Sequence, residues 1–464
     1  MSTFQKDMTK GSVTKHLIRF SLPFLAANLL QALYNLADML IVGIYGGAVG
    51  TSAVGIGGLI TIVVINLISG LAVGGTVMIA QFIGAKRQED VEKTIGTMFT
   101  LYAVVAVIIT VVMLIFNRYI LIALNTPKES FDEALAYLNI CMGGTIFIFG
   151  YNAISAVLRG LGDSRHPLIF VAVATVINIG LDIIFVGFLD LGAAGAAWAT
   201  VIAQATSFIM SVIFLRSRDF IFDFRRKSFK VSGCVARRLL KIGLPTSLQG
   251  VMVSFSFLFL NRLANDIAGI VGSTALSIAS KVNSFAILPA IALQVSVSSM
   301  AGQNFGAGKP ERAKKAMLSA IGIGFILSLG VFAVVSTFST QIMSLFLGSG
   351  NTNLSADIVQ KCITDGSLYL RSVSYNYLIV CFVFCINGLA MGAGQTLFSM
   401  LNAMVSSLLL RIPLAWFLGI TLGWGLLGVG YAASIASLGS LIVGIIYILS
   451  GRWRTSGIEK HAHA

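Results

Sequence analysis

Apolar runs of about 20 residues recur along the whole of this chain, and this feature limits most what it can fold into. As a helix, a run of that length crosses the ~30 Å of hydrocarbon in a bilayer. A helix also satisfies its own N–H and C=O groups, which no lipid can do for it. The composition agrees: of 464 residues, 56% are hydrophobic and only 11% charged, against roughly 25% charged in soluble domains. Spans are expected at 18–45, 52–82, 94–117, 133–157, 167–188, 191–215, 240–265, 273–303, 315–338, 363–388, 394–419 and 425–449. No stretch between them suits a soluble domain. The first apolar stretch is too long for a secretory h-region and leads into more spans, so no cleavable leader is expected.

The net charge of +14 could suggest nucleic acid, but its distribution excludes that partner. Basic residues fill the N-terminus, every second loop and the tail: Lys86, Arg87 and Lys93, then Arg159 and Arg165, then the dense set from Arg216 through Arg218 and Arg225 to Lys241, then Lys309 to Lys315, then Arg452 to Lys460. The odd loops hold only Arg118, Lys128 and Lys361. This is the positive-inside pattern. It implies two cytoplasmic termini and an even number of spans; the expected location is the bacterial plasma membrane.

The chain also repeats itself. Leu22-Pro23 returns as Leu244-Pro245, Thr51-Ser52-Ala53 as Ser273-Thr274-Ala275, and Gln81 to Ala85 as Gln303 to Ala307, all at an offset of 222. Arg159-Gly160-Leu161-Gly162 then matches Met391-Gly392-Ala393-Gly394, and Gly192 to Ala199 matches Gly425 to Ala432, at offsets of 232 and 233. The expected fold is all-α: twelve transmembrane helices in two six-helix lobes. An even number of spans per half makes the repeat parallel, with a pseudo-two-fold axis along the membrane normal. The lobes should occupy 1–215 and 240–464, the latter with the tail, joined by a cytoplasmic linker at 216–239.

Ionisable groups inside a membrane are costly and therefore functional candidates. Only Asp38 and Asp182 lie deep in spans. Tyr34 and Asn178 each precede one of them by four residues, on the same helical face. Thr200 is expected at similar depth in span 6. These oxygens could bind Na⁺, or the carboxylates could share a proton; the bland reading is a polar network that ties helices together. Arg262 and Arg371 are expected to snorkel from span ends, whereas Lys281 and Arg411 lie deeper. Pro289 and Pro413 interrupt span interiors. None of the five cysteines forms a CxxC or a His-paired metal motif, and Cys381 and Cys385 read as packing residues. HExxH, GxSxG and P-loop motifs are absent, so an enzyme is not expected and ATP hydrolysis by this chain is excluded. Transport must then draw on an ion gradient or on a partner.

With these residues in place, the chain resembles the multidrug and toxic compound extrusion (MATE) family along essentially its whole length. The resemblance rests on Pro23, Tyr34 to Asp38 and Val42-Gly43, Gln81 to Ala85, Leu158 to Ser164 with Pro167, Asn178 and Asp182, and Gly192 to Ala199. It implies an antiporter that exports amphipathic, often cationic, organic compounds by alternating access, without a cofactor and with Na⁺ or H⁺ as coupling ion. It also implies cation coupling by Asp38, Asn178, Asp182 and Thr200, which would be the Na⁺ ligands of a sodium-coupled protein. Gln31, Tyr34, Asn35 and Lys281 are the expected cavity residues. The pattern is closer to the DinF-like than to the NorM-like branch. Partners are small organic substrates and membrane lipid, and a monomer is expected. A lipid-linked saccharide flippase of the same superfamily is the alternative. Coupling should lie in the first half alone: Leu260 stands opposite Asp38 at offset 222, and offset 232 gives Leu410 and Leu414, with Arg411 adjacent.

Overall fold

The structure is a computed structural model that describes residues 4–217, 220–348 and 355–454. Arg218, Lys460 and the tail histidines lie outside the described residues. Within those, every regular element is helical: α1 (Val13–Tyr45), α2 (Gly47–Gly84), α3 (Gln88–Ala123), α4 (Lys128–Gly143), α5 (Thr145–Gly160), α6 (Arg165–Asp182), α7 (Gly192–Arg216), α8 (Gly233–Ala286), α9 (Leu288–Gly306), α10 (Pro310–Thr337), α11 (Ser339–Gly348), α12 (Ala356–Gly392), α13 (Thr396–Met404), α14 (Arg411–Trp416) and α15 (Gly425–Leu449).

Among the described residues, ten helices are long and apolar enough to cross a membrane, and α4 with α5, bent by 47° at Gly144, makes an eleventh. The continuous stretch Gly233–Gly306 counts once among the ten yet has 74 residues. At 1.5 Å per residue that is several bilayer thicknesses. It folds back at Gly269, where φ is 57° and ψ −137°, so it supplies two spans and the total among the described residues is twelve.

The repeat is written into the backbone. Left-handed φ values recur at Gly47 and Gly269, at Lys86 and Gly308, at Gly162 and Gly394, at Asp190 and Gly423, and at Gly192 and Gly425. These pairs carry the same offsets of 222, 232 and 233 as the sequence matches. A turn that needs positive φ is stereochemically demanding, so five such turns in register mark two copies of one scaffold.

The chain forms two compact units. In the first, residues 19–247 with the chain start up to Met8, α2 packs on α3, α4 and α5, and α6 on α7. Its core includes Val42, Leu121, Leu138, Met142 and Ala196. In the second, Thr9–Ile18 with Leu248 onward, α12 packs on α9, α10 and α15 around Leu263, Leu276, Met343, Tyr377 and Val429. The apolar surface is not all inside. On α3, Val104, Val107, Ile108, Val111, Ile115 and Ile122 form an exposed stripe at helical spacing. Such a stripe would be an aggregation site in water and is the lipid-facing side of a span.

Two departures from the expected spans have local causes. The single span at 133–157 is two helices, α4 and α5, broken where Gly144 lies close against the Val201 side chain. The long connection after span 9 contains a ten-residue helix, α11. Pro289 follows the one-residue break at Ile287 between α8 and α9, inside the expected span 273–303, and so interrupts that span as expected.

Candidate functional site

Asp38 is on α1, Asn178 and Asp182 on α6, and Thr200 on α7. Each helix is fixed by its ends. The entry to α7 needs positive φ at Asp190 and Gly192, and Glu133 of α4 accepts a 3.3 Å hydrogen bond from the Ala193 N–H at the helix start. A carboxylate there answers the unpaired N–H groups of the first turn. Asp182 ends α6, and the chain continues as a π-helical turn, Ile183–Phe188.

All three predicted acid and amide groups are buried. The Tyr34 hydroxyl is 3.1 Å from Thr200 Oγ1, which ties α1 to α7. Asp38 and Asp182 lie side by side, close enough to interact directly. Asp38 Oδ1, both carboxyl oxygens of Asp182 and both polar atoms of Asn178 lack a hydrogen-bond partner. A buried polar atom left unpaired costs about 1–3 kcal/mol, and more when charged. Five in one cluster are therefore a poor way to tie helices together. They suit an arrangement completed by something else: a hard cation takes oxygen ligands, and a proton shared by two carboxyls removes their repulsion. Transition-metal sites need a different donor set, and no group of three His, Cys, Asp or Glu side chains is placed for one among the described residues.

A small cavity of about 20 Å³ adjoins the cluster and is lined by Gln31, Tyr34, Asn178 and Gln204. Of the expected cavity residues, Gln31 and Tyr34 line it, whereas Asn35 and Lys281 are exposed side chains outside it. Tyr137 and Cys141 of α4 stand beside Tyr34 and Asp38, and Gln204 of α7 reaches the cavity with an unpaired amide oxygen. Nothing in the sequence singles out the first two, which are uncharged residues in an apolar span. Gln204 was findable, because it follows Thr200 by four residues on the same face of α7.

The repeat register is also sharper than the sequence suggested. The turns at Asp190/Gly423 and Gly192/Gly425 give an offset of 233. In that register Arg411 is the counterpart of Asn178, and Ala415 of Asp182.

Comparison with known proteins gives the same architecture. The chain is 28% identical over 451 residues to "Probable multidrug resistance protein YpnP" of Bacillus subtilis, covering 97% of each. It is 24% identical over 453 residues to "Multidrug export protein MepA" of Staphylococcus aureus, covering 96% of this chain and 95% of that one. Among solved structures, a multidrug resistance MATE family transporter of the MOP superfamily in an outward-facing conformation matches with a TM-score of 0.90 at 26% identity, over 96% of this chain and 97% of that one. A MOP superfamily transporter from Pyrococcus furiosus, for which a binding pocket of reverse polarity suggests a different function, matches at 0.88 and 26%, over 96% and 97%. The MatE family model matches twice, at residues 23–184 and 245–417, and each match opens on one of the repeated prolines. A fold of twelve apolar helices, a duplicated scaffold and two matches covering most of the chain lead to one conclusion: the protein is a multi-pass membrane transporter and belongs to the MatE family.

Proposed function

We propose that this protein is a secondary active multidrug exporter of the bacterial plasma membrane, with both termini in the cytoplasm. It moves small amphipathic organic compounds outward by alternating access, in exchange for Na⁺ or H⁺. The observation that carries this reading is the buried Asp38–Asn178–Asp182 cluster with its five unpaired polar atoms. Asp38 and Asp182 would hold the coupling ion, Asn178 would supply an amide oxygen, and Thr200, held by Tyr34, a hydroxyl. Occupancy joins α1, α6 and α7, so ion and substrate must alter each other's affinity by one factor. Relatives named for multidrug resistance and export support the substrate class.

The test is efflux of ethidium from proteoliposomes under an imposed Na⁺ or pH gradient. The wild-type protein should respond to one of the two. Asp38→Asn and Asp182→Asn should insert, remain monodisperse and lose at least tenfold in gradient-driven efflux. Full activity in either variant would overturn the assignment.

A further inference from the structure

The second unit holds its own cavity, of about 140 Å³, where the repeat predicts a counterpart of the first. The correspondence is residue by residue. Gln31, Ala174, Asn178, Gln204 and Ser207 line the first cavity. Their repeat equivalents Val253, Ser407, Arg411, Ser437 and Ser440 line the second. The cation ligands have not been kept. Asp38 is replaced by Leu260 and Thr200 by Ala433, both on the second cavity's wall, and Asp182 by the buried Ala415. Asn178 has become Arg411, so one lobe offers carboxylates where the other offers a guanidinium.

That guanidinium is unused. No hydrogen bond or ion pair joins Arg411 to another described residue, and its Nε is buried without a partner. It lies over the Phe257 ring, 5.6 Å away, with Tyr369 nearby on the same cavity wall. A ring face leaves the in-plane N–H donors free. Among the described residues, no Asp or Glu lines the cavity. A partly buried cation without a partner is unfavourable, and a carboxylate would satisfy it with two parallel hydrogen bonds. The carboxamides of Gln249 and Asn376 also face the cavity with unpaired oxygens and can turn to donate N–H. Most of the remaining wall is apolar, with Val253, Leu260, Val373, Val380 and Phe384.

We propose that this second-lobe cavity binds an amphipathic organic monoanion, its carboxylate on Arg411 and its apolar body against the valine and phenylalanine wall. The site lies outside the coupling cluster and does not depend on what that cluster does. A free organic acid and a membrane fatty acid share this chemistry.

The probe is 1-pyrenebutyrate, compared with its neutral amide, in equilibrium binding to the purified full-length protein by fluorescence. The wild type should prefer the carboxylate at least tenfold. Arg411→Gln should erase the preference while leaving amide binding unchanged, and Arg411→Lys should keep part of it. If Arg411→Gln does not fold, Ser437→Phe serves instead by filling the cavity and weakening both probes. Mass spectrometry of the purified protein separates the sources. A fatty acid that co-purifies with the wild type and not with Arg411→Gln assigns the site to lipid; binding of pyrenebutyrate without one assigns it to free organic acids. Equal affinity for acid and amide, or an unchanged preference in Arg411→Gln, would overturn the proposal. The readout needs no gradient, so failed efflux and failed binding are distinguishable.

Discussion

Asp163, in the turn between α5 and α6, shows how one buried acid can be held ionised outside the membrane. Its side chain is fully buried, yet Lys6 Nζ lies 3.2 Å from Oδ1, the Arg165 N–H donates to the same oxygen at 2.9 Å, and His166 Nδ1 contacts Oδ2. Burial alone would push the Asp163 carboxyl up; His166, Lys6 and the Arg165 N–H outweigh it and hold it below the ordinary carboxylate range. A group with a lowered folded value contributes stability above its unfolded value, ~3.9 for Asp, and loses it as pH falls through the folded value. Asp163→Asn should therefore lower thermal stability at pH 7 by about 1–3 kcal/mol, and the difference should shrink below about pH 4. Unfolding curves of the detergent-solubilised protein at pH 7 and pH 3.5 check both the size and the sign. Asp38 and Asp182 contrast with it: Asp38 Oδ1 and both Asp182 carboxyl oxygens are buried without such donors.

Among the elements, the hairpin within α8 depends on two glycines that are needed for different reasons. Gly269 adopts φ 57°, ψ −137°, and a Cβ there would meet nothing within 4 Å. Its requirement is purely conformational, and Gly269→Ala should cost about 1–3 kcal/mol. Gly272 has ordinary helical φ, but a Cβ there would run into the Ala264 backbone across the hairpin. Backbone cannot swing aside as a side chain can, so Gly272→Ala should be the more damaging of the two. Thermal unfolding of both variants tests this order; a Gly272→Ala protein as stable as wild type would refute the close approach. Elsewhere the π-helical turns carry the irregularity: Ile183–Phe188 follows Asp182, and Phe417–Thr421 follows Ala415, its repeat equivalent, by a similar interval. Turns of this kind widen a helix locally and are often found beside functional groups.

For the molecule as a whole, the alternating charge of the loops is the testable consequence of membrane insertion. Four of the five cysteines are buried and Cys234 is exposed, so Cys234→Ser gives a background silent to impermeant thiol reagents. In that background Lys128→Cys and Lys361→Cys should label in intact cells, and Arg225→Cys and Lys314→Cys should not. Labelling at 225 from outside would reverse the orientation. The basic loops would then face away from the negative cytoplasmic surface that normally retains them.

Much was determined by the sequence alone, because membrane insertion reduces to a one-dimensional rule. Twenty apolar residues make a span, and the offsets of 222 to 233 reveal the duplication before any coordinates are known. The residues of the acidic cluster were legible for the same reason, since a deep Asp is rare enough to stand out. What only the tertiary structure decided is direction. Lys281 and Arg411 read alike as deep basic residues, yet Lys281 is exposed and Arg411 lines a cavity. Residue spacing gives the face a side chain shares with its neighbours along a helix; it does not say whether that face turns to lipid, to another helix or to a cavity. That depends on how each helix is rotated and bent by its packing, here through the break at Gly144, the fold-back at Gly269 and the π-helical turns beside Asp182 and Arg411.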